Sequence, residues 1–121
     1  AAHTSCHFAA AKLAPDELHT EITTNMIRLE QELGEPPRHF SYPYGCENSA
    51  GPRDFSLVQD LGFATAVTTR KGMIFPEHAA HLTALPRFSL NGDFQDLRAL
   101  EVLLSGLPFA LLNRGRRVNV S

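Results

Sequence analysis

The chain has no tryptophan, only two tyrosines and only two cysteines in 121 residues. Two thiols cannot make the disulfide framework that small secreted domains rely on, so apolar side chains must build the core. A Cys6–Cys46 bridge would require the fold to bring both together, and both are expected to be free. Charge of one sign is also scarce. The net charge is -2 with acids and bases interspersed, which leaves no basic face for nucleic acid. No apolar run approaches the roughly 20 residues of a membrane span. The longest, "LEVLLSGLPFALL", is broken by Glu101, Gly106 and Pro108. The opening residues lack the basic start and apolar stretch of a secretory leader. No redox compartment follows from any of this.

What is present is a globular composition. Apolar residues make up 43% of the chain, enough for a packed interior. The length suits one unit, residues 1–121. The basic tail, with Arg114, Arg116 and Arg117, reads as a solvated end.

Periodicity predicts a helix over 15–33, with Leu18, Ile22, Met26, Leu29 and Leu33 on one stripe. Pro15 fits its first position, Asp16 and Glu17 its dipole, and Gly34 its stop. "HFSY" reads as a strand entering a turn at Pro43 and Gly45. A loop and short helix follow, carrying Phe55, Val58 and Leu61 with Gly62 at the end. "FATAVTT" reads as a strand, the stretch from Arg70 to Leu85 as irregular, "PRFSL" as a strand and "NGD" as a turn. Asp93 is expected to cap a helix over 94–105, with Phe94, Leu97, Leu100 and Leu104 on one side. "PFALLN" reads as a last strand. Helices alternating with strands argue for α/β with parallel pairing. About four strands make a small open sheet or a piece of a larger barrel, since a complete one takes on the order of 250 residues.

Three stretches can carry chemistry. In "HTSCH", His3 and His7 stand four apart, a spacing that zinc sites use, with Cys6 between them. Two ligands alone do not hold a catalytic zinc, and spacing alone favours two ordinary histidines near a terminus. His78 and His81 read as surface residues. "FSYPYG" places an aromatic–proline–aromatic–glycine loop after a strand, where parallel α/β folds bind ligands. Such a loop can offer backbone N–H groups to an oxyanion, or can simply turn the chain. In "LPRFSL", Arg87 is either buried beside a carboxylate or an exposed rim residue.

The order of these pieces is more specific than any one of them. "HTSCH", an amphipathic helix ending "LEQELGEPPRHFSYPYG", then "LGFATAVTTRKG" and "LPRFSLNGD" resemble a polysaccharide deacetylase. The likeness is to the C-terminal part of the carbohydrate esterase family 4, or NodB-homology, domain, and it runs from residue 1 to about 117. The resemblance implies an α/β fold, a partial (β/α) barrel of mostly parallel strands with flanking helices. It implies hydrolysis of acetyl groups from an N-acetylated, sometimes O-acetylated, polysaccharide or oligosaccharide with a divalent metal, most often zinc. His3 and His7 would be metal ligands. Tyr42, Pro43 and Tyr44 would line the substrate groove, with the Tyr44 N–H on the oxyanion.

The family's "T-F-D-D-G" motif, which supplies the base and a third ligand, does not occur in this sequence. Ser41 stands where an arginine is usual, which leaves Arg87 as an electrostatic support. Phe8 stands where proline commonly follows the second histidine, and no "L-x-x-H" motif follows "LPRFSL". The chain is therefore expected to be the C-terminal portion of the domain. Open sheet edges should then drive self-association or pairing with an N-terminal piece. A carbohydrate-binding or assembly module without chemistry is the alternative.

Overall fold

The computed structural model describes residues 1–90, 92 and 95–120. Helix α1 (Pro15–Leu33) occupies the expected span. The Glu17 carboxylate accepts the Ala14 N–H at 2.8 Å, and Gly34 ends the helix at φ 80 by donating to the Glu30 carbonyl. Leu18 and Ile22 are buried, and Met26 and Leu29 pack against the core. Leu33 continues the stripe in sequence but is exposed, as the last residue of the helix before Gly34.

Strand β1 (His39–Ser41) follows, then α2 (Pro52–Asp60) and strand β2 (Thr65–Val67). The two strands are parallel, with Phe40 opposite Ala66. Each gains a further parallel neighbour reduced to one bridge, Ala2 beside Phe40 and Leu85 beside Val67. The result is a four-member parallel arc in the order Ala2, β1, β2, Leu85. The α/β class and parallel pairing are as expected, and no closed barrel exists among the described residues.

Under the arc, Phe40 packs edge-on to Tyr42 with centroids 5.0 Å apart and tilts against Phe63. Val58 of α2 and Ala66 of β2 complete this core. Asp54 is buried at the start of α2, where its carboxylate accepts the Gly51 N–H and pairs with Arg53. That burial is satisfied and structural. Gly62 carries the positive φ after α2, and the Phe63 N–H closes back on the Val58 carbonyl.

Several expectations fail for identifiable reasons. "PRFSL" is not a strand: Pro86 has no N–H for the ladder, and the Arg87 N–H donates to Arg70 instead. "PFALLN" is helix α4 (Leu107–Leu112), which Gly106 at φ 75 and a proline in the first turn start sharply. Helix α3 (Leu97–Leu104) is capped by Asp96, whose side chain accepts the Arg98 N–H. Asp93 and Phe94, along with Asn91 of the expected turn, lie outside the described residues. The leucine side of α3 buries nothing, since Leu97 and Leu104 are exposed.

His78 is also not a surface residue. It is 1% exposed, its Nδ1 accepts the Phe75 N–H, and its Nε2 contacts the Val118 carbonyl at 2.8 Å. The basic tail is correspondingly docked. Asn119 donates to the Ala84 carbonyl and accepts from Arg70, and Arg117 pairs with Glu77 over the Phe75 ring. Both cysteines are free and exposed, as expected.

Candidate functional site

In a parallel arc, the C-terminal ends of the strands form one rim, where such folds gather ligand-binding loops. Each member here delivers a candidate residue to that rim. His3 follows Ala2, Tyr44 follows β1, Thr69 follows β2, and Arg87 follows Leu85.

His3 is fixed at both ends. Its N–H donates to the Asn25 Oδ1 of α1 at 2.9 Å. Its ring Nδ1 lies 2.5 Å from the Ser41 carbonyl, which can only accept, so Nδ1 carries the proton. That tautomer leaves the Nε2 lone pair for a ligand, the arrangement of metal-bound histidines generally. The ring of His7 meets that of His3 edge-on at 4.8 Å and the ring of Tyr44 at 4.9 Å. His3 is half-buried and His7 exposed, so the pair opens to solvent.

The backbone here is strained. Thr4, His7 and Tyr44 take φ values of 53, 59 and 61. Left-handed backbone at a β-branched residue such as Thr4 is a true outlier, and each such residue costs about 1–3 kcal/mol. Thr4 is buried, and its Oγ1 has no partner among the described residues. Strain of this kind persists only where surrounding bonds hold it. Glu21 of α1 provides them: one carboxylate oxygen accepts the Ser5 and Cys6 N–H groups at 3.0 and 2.8 Å. A hydrogen bond to Glu21, with its negative charge, also raises the Cys6 thiol above its ordinary value.

The Pro43–Gly45 turn is equally constrained. Gly45 has φ 62, and a Cβ there would meet the Thr69 nitrogen at 2.7 Å. The Thr69 hydroxyl donates to the Tyr44 carbonyl at 2.5 Å, and the Thr69 N–H donates to Gly45. Tyr44 is thereby pinned while its side chain stays exposed, and its N–H has no partner among the described residues. Tyr42 is placed differently from the expected groove residue. It is fully buried, its hydroxyl donates to the Thr83 carbonyl at 2.8 Å, and burial pushes the phenol up. Pro43 is buried as well. Both shape the turn from below, while Tyr44 alone of the three faces solvent.

Arg87 is the exposed rim residue of the two readings. It lines a hollow with Thr69, Lys71, Phe88 and Leu112. No carboxylate pairs with it among the described residues. Its connection to Tyr44 is indirect, through Thr69.

A divalent metal fits this site in part. His3 and His7 present two imidazoles side by side, with the His3 Nδ1 already engaged by the Ser41 carbonyl. Among the described residues no third histidine, cysteine, aspartate or glutamate joins them in a ligand group. Glu21 and Asn25 were not legible as site residues. The signal was there, a polar pair one helical turn apart flanking the apolar stripe of α1.

The arc, its rim and the flanking helices recur in solved structures. A Streptococcus pyogenes deacetylase, PplD, in complex with acetate, matches with a TM-score of 0.70 and 21% identity over 86% of this chain. IcaB from Ammonifex degensii matches with a TM-score of 0.61 and 20% identity over 84% of the chain. The chain spans 42% and 44% of those two structures, less than half of each. The fold is thus one found in a deacetylase. No protein-family model and no curated protein sequence matches the chain.

Proposed function

We propose that this chain is the metal-ligating portion of a polysaccharide deacetylase that hydrolyses acetyl groups from N-acetylated sugars, breaking a carbon–nitrogen bond that is not a peptide bond. O-acetyl groups are the variant substrate. The observation that carries this reading is the His3–Ser41 hydrogen bond, which sets one imidazole as a ligand beside His7 and Tyr44 on the rim.

His3 and His7 would hold the metal, zinc by the chemistry of imidazole donors. When bound, it supplies Lewis acidity to the acetyl carbonyl and to water. Tyr44 contributes in two ways. Its exposed ring offers a stacking face to a sugar beside the histidines. Its unpartnered N–H, held in place through Thr69, can donate to the developing oxyanion from a fixed position. Arg87 lies along the same rim and adds positive potential there. The general base and the remaining ligands must come from outside the described residues.

The arc itself invites completion. Ala2 and Leu85, its outer members, are each bridged on one side among the described residues. We propose that a further piece of polypeptide, an N-terminal segment or a second copy, continues the sheet toward a barrel and brings the base.

The test is zinc content, with acetate release measured alongside. The purified chain is expected to bind close to one zinc, lost in His3→Ala and in His7→Ala. Zinc without acetate release from acetylated oligosaccharides, together with sugar binding, would favour the non-catalytic carbohydrate-binding alternative. Chains that bind no zinc would remove the metal reading. Light scattering that finds only a stable monomer would remove self-association.

A further inference from the structure

We infer that Glu21 and Asn25 of α1 are positioning residues that order the His3–His7 loop for ligation before any metal arrives. The inference rests on the proposed role of His3 and His7. It adds a part of the site that neither the "HTSCH" spacing nor the Tyr44 loop contains.

Glu21 and Asn25 are one helical turn apart and lie on the same face of α1. From that face they take every backbone N–H of the loop that has a side-chain acceptor. Asn25 Oδ1 accepts from His3 at 2.9 Å, and Glu21 Oε2 accepts from Ser5 and Cys6 at 3.0 and 2.8 Å. The Ser5 hydroxyl returns a bond to the Glu21 carbonyl at 3.3 Å. A carboxylate receiving two backbone N–H groups is a strong, charge-assisted anchor. It sits between two left-handed residues, Thr4 and His7, whose backbone would otherwise relax to ordinary φ.

The two imidazoles are 4.8 Å apart between centroids, and a change of backbone at Thr4 or His7 would alter that spacing. Below the clamp, α1 is fixed by Leu18 and Ile22, both buried. The loop is therefore referenced to the core through α1, while Ser41 references the His3 ring to β1. Glu21 Oε2 is engaged by the two amides, and among the described residues Glu21 does not join His3 and His7 in a group of three potential metal ligands.

The experiment compares the unaltered chain with Glu21→Ala, Glu21→Gln, Asn25→Ala and a control, Thr20→Ala. Thr20 is the neighbouring α1 residue, and its hydroxyl only bonds back to the Asp16 carbonyl. Zinc affinity is measured by competition with a chelating dye. Amide hydrogen exchange at Ser5 and Cys6 is measured without metal. Glu21→Ala is expected to lower zinc affinity by about 10–100-fold, as loss of a supporting partner does at metal sites generally. Asn25→Ala should lower it less. Glu21→Gln, which keeps an acceptor oxygen, should recover most of the loss, and Thr20→Ala should change nothing.

Ser5 and Cys6 should exchange faster in Glu21→Ala even in the metal-free protein. Unchanged exchange there overturns the clamp, whatever zinc does. Full zinc affinity in Glu21→Ala also overturns it. Equal losses in Glu21→Gln and Glu21→Ala, with the two amides still protected in Glu21→Gln, would make the carboxylate a ligand and overturn the positioning role. An unaltered chain that takes up no zinc removes the metal reading instead, and the exchange result then decides the clamp separately.

Discussion

Two regions of this molecule reach order by opposite means. The rim at His3, His7 and Tyr44 holds three left-handed residues in place with hydrogen bonds from α1, β1 and Thr69. The α3–α4 pair turns at a glycine, where positive φ carries no strain, and buries almost nothing. No residue of α3 is buried, and α4 buries only Phe109, stacked on Phe88 at 4.7 Å. Strained backbone with many polar anchors is what a site needs if side chains are to be presented in one geometry. Helices held by propensity and a single aromatic anchor need no such precision. The contrast sets the rim apart as the region whose side chains are held in one geometry.

That contrast can be broken most forcefully from beneath the rim. Phe40 is buried between Tyr42 and Phe63 on β1, the strand that carries both Ser41 and the turn. Phe40→Ala is expected to cost about 3–5 kcal/mol in urea unfolding, through lost burial and the cavity left behind. A loss below 1 kcal/mol would mean the arc does not support the rim.

Gly45→Ala comes next. It places a Cβ at positive φ and 2.7 Å from the Thr69 nitrogen, so two independent penalties apply. The expected loss is about 2–3 kcal/mol, with Tyr44 released from Thr69. In the other region the same scale should nearly vanish. Leu104 and Leu111 are 57% and 71% exposed, so Leu104→Ser and Leu111→Ser should each stay within about 0.5 kcal/mol. Losses comparable to Gly45→Ala would show that these leucines are covered in solution and would erase the contrast.

Much of the frame was legible in the sequence. Helix α1 matched because its apolar stripe, Pro15 and Gly34 all point the same way, and agreement across signals is what makes a reading firm. The parallel order was legible from alternation, whereas the His3–His7 spacing alone favoured two ordinary histidines and only the order of the motifs pointed to a paired site. The failures share a cause: each depended on a distant partner. His78 looked like a loop residue because its acceptor, Val118, is 40 residues away. Tyr42 looked like a groove residue because its burial depends on Thr83 and Phe55. "PRFSL" has strand composition, yet Pro86 removes the donor that pairing with β2 requires. Glu21 and Asn25 were hidden by the stripe itself, since periodicity reports which face is buried and nothing about what the flanking polar residues hold.

The smallest effect tests the turn without touching the fold. Cys46 follows Gly45 and is exposed, and its thiol lies below the usual cysteine value. The Ser49 hydroxyl is the main cause, followed by backbone N–H groups, all favouring the thiolate. A lowered value means a larger thiolate fraction at any pH beneath the ordinary one. Iodoacetamide should therefore label Cys46 faster at pH 7.5 than it labels an unstructured peptide thiol. Ser49→Ala should remove most of that excess. Above about pH 9.5 both thiols are largely ionised and the difference should close. Equal rates at pH 7.5 would show that the turn is looser than its bonds to Thr69 require. That would weaken the distinction between an anchored rim and a loosely held helical pair at the residue next to Gly45.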